Sequence, residues 1–126
     1  MLHRVREAGI NFLRHRRRPR RRRVGEILGT LISDCRDEVV LGSKVFNPTG
    51  PDVNARGLSR RHIIRGVEAS LKRLRTDLAG LLLRPRLRRA HAIEQTVRAL
   101  DDLHSKIRYP AVSNWAACQI ATAVGI

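Results

Sequence analysis

With 126 residues, 14.3 kDa and 42% hydrophobic side chains, the chain suffices for one domain with a modest core. A net charge of +15 and a pI near 11.7 point first to nucleic acid or an anionic surface, but residues 13 to 23 hold eight arginines and residues 78 to 92 four more, with no acid in either. That leaves +3 for the remainder, so the basicity belongs to two segments and not to a face.

In chain order, Met1 to Phe12 reads as the end of a helix stopped at Gly9, followed by the first residues of a strand. Leu13 to Arg23 is an arginine block broken by Pro19, a density that ordinarily means disorder or a nucleic-acid arm. From Val24, Ile27, Leu28, Leu31 and Ile32 fall at helical spacing, and Arg36, Asp37 and Glu38 lead to an apolar, partly β-branched run from Val39 that ends in Gly42, Ser43 and Lys44. That run predicts a buried strand with a polar tip. The stretch Asn47 to Asp52 is turn chemistry without a phosphate-cradling glycine pattern. Ser59 then caps a helix whose Ile63, Ile64, Val67, Leu71 and Leu74 share a face.

Leu78 to Leu83 has strand length, and Arg84 to Arg89 is basic and proline-broken. Ile93, Val97, Leu100 and Leu103 predict a further amphipathic helix, Ile107 to Val112 a strand, and Trp115 to Val124 a last helix capped by Ser113 and Asn114. Strand and helix alternate throughout, which predicts βα units around a parallel sheet: an α/β fold with too few strands to close an eight-stranded barrel, hence part of a larger fold. Cys35 and Cys118 lack Cys-x-x-Cys spacing and the five histidines lack ligand spacing, so neither a disulfide framework nor a metal site is expected. The longest apolar run is too short to span a bilayer and no signal-peptide pattern follows the basic N-terminus, so the expectation is a cytoplasmic chain with no membrane partner.

Four separate stretches, Leu41 to Val45, Gly57 to Ile63, Gly66 to Leu74 and Val112 to Ala116, resemble in wording and order the aldo-keto reductases, especially the branch near potassium-channel β subunits. The resemblance runs from about Glu7 to Leu103 and resumes at Lys106. It implies an incomplete (β/α)8 TIM barrel, about four βα units, the second to the fifth, within a partial domain spanning 1–126. It further implies NADP or NAD as cofactor and a small carbonyl compound as substrate. In that family hydride passes to a carbonyl carbon while a tyrosine protonates the oxygen, tuned by a lysine and an aspartate, with a histidine orienting the carbonyl. Lys44 matches the lysine, and Ser113 and Asn114 match the pair that holds the nicotinamide carboxamide. The resemblance places the groups that grip the cofactor phosphates in units beyond these four. Where the family writes Phe-Asp-Thr-Ala-Asp-x-Tyr, this chain has Leu13 to Pro19, with Arg14 for the aspartate and Pro19 for the tyrosine, and Pro85 stands for the histidine. The catalytic aspartate, tyrosine and histidine are thus unmatched, and the chain is expected to be inactive as written.

Codon arithmetic offers an explanation of these mismatches that the coding DNA can test. With a suitable choice of synonymous codons, Leu13 to Arg17 can be back-translated CTT CGA CAC CGC CGA, which one base later reads Phe-Asp-Thr-Ala-Asp. Leu78 to Leu82 regroups by the same shift to Trp-Leu-Asp-Phe and the start of a tyrosine codon, and Pro85 to Ala92 to His-Val-Phe-Asp-Glu-Pro-Thr-Pro. At Pro19 the regrouped codon begins with C, which permits histidine but not tyrosine. Residues 13–23 and 78–92 therefore read as aberrant basic segments between paired insertions and deletions. The competing reading is a small basic nucleic-acid-binding protein, since so many arginines would neutralise phosphates strongly; against it, no aromatic lies among them for base stacking and the first block falls where a barrel strand belongs. The coding DNA separates the two: a displaced frame requires codons in both segments that regroup to the family wording, and codons that forbid the regrouping contradict it.

Overall fold

The computed structural model describes residues 2–15, 22–83 and 91–126. They form α1 (Leu2–Glu7), β1 (Phe12–His15), α2 (Arg22–Leu31), a 3-10 segment (Ser33–Glu38), β2 (Val40–Val45), α3 (Arg60–Leu74), β3 (Ala79–Leu83), α4 (His91–Asp101), β4 (Ile107–Val112) and α5 (Ala117–Val124). The strands make one parallel sheet in chain order, β1-β2-β3-β4. Crossovers between parallel strands are right-handed, so a sheet that never reverses its order keeps all its helices on one face. Consistent with that, α2 packs on α3, α3 on α4 and α4 on α5. The result is an arc of an eight-stranded barrel, four βα units wide.

The core lies between sheet and helices. Along β2, Leu41, Ser43 and Val45 are buried on the helix side, where Ile63, Val67, Leu71 and Leu74 of α3 meet them. Alternation puts Val40, Gly42 and Lys44 on the opposite, inner face. The Ser59 Oγ accepts from the His62 backbone N–H at 3.3 Å, capping α3 as its sequence predicts, and Arg75 ends the helix in a left-handed conformation at φ 51°. Gly9 at φ 74° closes α1 before β1, again as read from the sequence. Ile64, expected on the buried face, is only partly buried.

Several boundaries differ from the sequence reading. The arginine block is divided: Arg14 belongs to β1, α2 begins at Arg22 rather than Val24, and residues 16–21, including Pro19, lie outside the described residues. Pro85 and the rest of 84–90 lie outside them too. The 3-10 segment has no counterpart in the hydrophobic pattern. It is held by Arg36, whose guanidinium donates to Thr76 Oγ1 at 2.8 Å, to the Val39 carbonyl at 2.9 Å and to the Leu78 carbonyl. One side chain thereby ties together the entries of β2 and β3. α5 starts at Ala117, with Ala116 as N-cap and the Gln119 Oε1 accepting from the Ala116 N–H at 3.0 Å. Ser113 and Asn114 therefore do not cap it: two residues separate Asn114 from the helix, and the Gln119 side chain takes the cap position instead.

Gly29 in α2 marks a close helix crossing, because a Cβ there would lie 2.6 Å from the Leu74 carbonyl oxygen of α3. Gly29→Ala is expected to destabilise the fold by about 1–3 kcal/mol through overpacking, seen as a lower urea midpoint. Gly50→Ala, where a Cβ meets nothing within 4 Å, should leave that midpoint unchanged.

Candidate functional site at the C-terminal ends of the strands

Lys44 sits next to last in β2, half-buried on the inner face. The sheet register runs Lys44↔Leu82↔Ala111, and β4 ends one residue later at Val112. Ser113 and Asn114 follow immediately, so all three sequence-predicted residues lie at the C-terminal rim of the arc. Two strand spacings and two residues of rise separate the Cα atoms of Lys44 and Ser113 by about 12 Å. Ser113 is half-buried and Asn114 exposed. Asn114 has φ 62°, a left-handed backbone that turns the chain sharply out of β4. Asparagine tolerates this region better than most residues, which is the signal by which the turn could have been read from the sequence.

The inner face around Lys44 is cationic. Arg14 pairs in register with Gly42, so it shares the inner face with Lys44 at a Cα separation of about 8 Å. Gly42 is covered on that face: a Cβ there would lie 2.9 Å from Phe12 Cζ and 3.7 Å from Arg14 Cγ. Arg14, at the position where the resemblance expects an aspartate, thus stands beside Lys44 and carries the charge opposite to an aspartate's. Tyr109, the chain's only tyrosine, is in β4, two strands from Lys44 and below its level in the ladder. Among the described residues, the inner face does not bring together all the groups that the resemblance expects around a nicotinamide. Ser113 and Asn114 offer polar groups for an amide, and Arg14 stands where the resemblance expects the acid. Among those residues no three His, Cys, Asp or Glu side chains group to hold a metal ion, and no helix is long and apolar enough to cross a membrane.

The family model "Aldo/keto reductase family" matches residues 1–124. Over 125 residues the chain is 38% identical to the "Probable voltage-gated potassium channel subunit beta" of Arabidopsis thaliana, covering 95% of this chain and 38% of the relative. It is 36% identical over 129 residues to the protein of the same description from Oryza sativa subsp. japonica, covering 98% of this chain and 39% of that one. The chain thus spans about two fifths of the length of these curated relatives. Among solved structures it is similar to an aldo-keto reductase of Bacillus halodurans in its holo form, with a TM-score of 0.74 and 26% identity, covering 86% of this chain and 38% of that chain. A glycerol dehydrogenase of Gluconobacter oxydans shares the fold, with a TM-score of 0.80 at 24% identity, covering 99% of this chain and 40% of that chain. Matched over nearly its whole length by the family model and by relatives of 36–38% identity, the chain belongs to the aldo/keto reductase family.

Proposed function

We propose that residues 1–126 are the second to fifth βα units of an NAD(P)H-dependent carbonyl reductase, inactive as written because segments 13–23 and 78–92 carry the family's wording in a displaced frame. The observation that supports this most is Arg14 beside Lys44. In a working site, a lysine ammonium beside a tyrosine hydroxyl eases proton release to the carbonyl oxygen, and a carboxylate keeps that ammonium oriented. Here the neighbouring strand brings Lys44 a like charge, Arg14, where the family likeness assigns a carboxylate. Ser113 and Asn114 are the cofactor contacts that the family likeness assigns, NADP or NAD being the cofactor and a small carbonyl compound the substrate. The compartment that fits a chain of this family with two lone cysteines is the cytoplasm.

A titration of NADPH fluorescence with the purified chain should show no saturable change, and NADPH should not be consumed when an aromatic aldehyde is added. Saturable enhancement with turnover contradicts the reading. Tight binding of duplex DNA or RNA that survives physiological salt would replace it with the nucleic-acid alternative.

A further inference from the structure

The outer face of α3 carries a row of cations that the linear charge count conceals. Arg61, Arg65, Lys72 and Arg75 are all exposed. At about 100° per residue they fall within an arc of about 80°, on the side of the helix away from the buried Ile63, Val67, Ser70 and Leu74. The row is about 21 Å long at the helical rise. It lies outside both basic segments, and none of its four side chains makes an ion pair among the described residues.

The acids that would neutralise it are engaged elsewhere. Glu68 lies inside the row, but Lys106 Nζ donates to its Oε1 at 2.9 Å. Arg60 donates to Asp102, just beyond α4, at 2.7 Å, and Arg98 donates to Glu94 of α4 at 2.7 Å. In the linear count these acids offset the row; in the fold they are committed to other bases. The face does not depend on what else the barrel contains. α2 packs on one side of α3 and α4 on the other, so α3 lies in the middle of the helix layer, which is the outer layer of a (β/α)8 barrel.

We propose that the outer face of α3 docks an acidic segment of a partner protein, one that presents several carboxylates along about 21 Å. Charge complementarity names the class: a guanidinium fork receives a carboxylate through two parallel hydrogen bonds. The narrowness of the row selects among anions. Glu26 is exposed on α2, and Asp101 and Asp102 are exposed at the end of α4. A broad anionic plane such as a lipid surface therefore meets carboxylates on either side of the row, whereas a single peptide segment runs between them. A helix set flush between two neighbours does not enter a nucleic-acid groove, and α3 holds no Phe, Tyr or Trp to stack a base. Each exposed pair adds little by itself, so binding requires several at once and weakens as salt screens them.

Fluorescence anisotropy of the full chain with a labelled peptide of alternating glutamate and alanine, long enough to span the row, tests this. Saturable binding is expected at low ionic strength, weakening roughly tenfold at physiological ionic strength. Arg65→Glu with Lys72→Glu should lower the affinity at least about tenfold with the urea midpoint unchanged. The neutral pair Arg65→Gln with Lys72→Gln should show a smaller loss in the same direction, and serves if charge reversal disturbs the helix. Two reversals in the first basic segment, Arg16→Glu with Arg17→Glu, should cost less than the two in the row. Zero-length carbodiimide coupling should join the peptide to the Lys72 amine. The proposal is overturned by an absence of saturable binding, by an equal or larger loss from the Arg16 and Arg17 reversals, or by coupling at Lys44 in place of Lys72. Phosphatidylserine vesicles or a single-stranded oligonucleotide that bind more tightly than the peptide, and lose that binding on reversal of Arg65 and Lys72, overturn the choice of partner.

Discussion

Coverage of β2 by the apolar stripe of α3 is the contact on which the other elements depend. Leu41 and Val45 on the strand, and Ile63 and Leu74 on the helix, are almost wholly removed from solvent, and each such side chain contributes about 1.5–3 kcal/mol relative to exposure. β1 and β3 flank β2, while α2 and α4 flank α3, so every other layer is registered against this pair. The polar contacts are arranged around it: Arg36 fastens the entries of β2 and β3, Arg60 pairs with Asp102 at 2.7 Å, and Lys106 pairs with Glu68 at 2.9 Å. The two ion pairs are substantially exposed, so they set register more than they stabilise.

One-sided coverage has a functional corollary. Because all helices share one face, the inner face of the sheet is left to the barrel interior, and in this chain it displays Lys44 and Arg14. A strand run that alternates its burial delivers Lys44 to the rim whether or not any chemistry follows. The fold therefore does not depend on which side chains the inner face carries. Stability is decided on the helix side of β2, and one residue of offset carries a side chain to the inner face instead.

The sequence was most readable where local rules and tertiary packing agree. Ser59 and the α3 stripe, the β2 run, the Gly9 stop and the span of β4 follow from capping, periodicity and left-handed glycine preference. The misread ends have identifiable causes. Ser113 and Asn114 have good capping chemistry, but the left-handed turn at Asn114 delays the helix until Ala117, and Gln119 reaches back to cap it. The 3-10 segment depends on Arg36 reaching two strands that are distant in sequence, which no local pattern discloses. Of the candidate site, the rim positions of Lys44, Ser113 and Asn114 could be anticipated from strand ends. The pairing that sets Arg14 beside Lys44 is a property of sheet register, and only the family resemblance hinted at it.

If β2 and α3 are the seat of stability, then protection against solvent exchange should be graded outward from them. Native-state amide hydrogen exchange measures this directly. The slowest amides are predicted in Leu41–Val45 and in the Ile63–Leu74 part of α3, with β1 and β4 exchanging faster and α5 fastest, since α5 buries no residue. Equal protection across all four strands, or greatest protection in α5, would contradict the account.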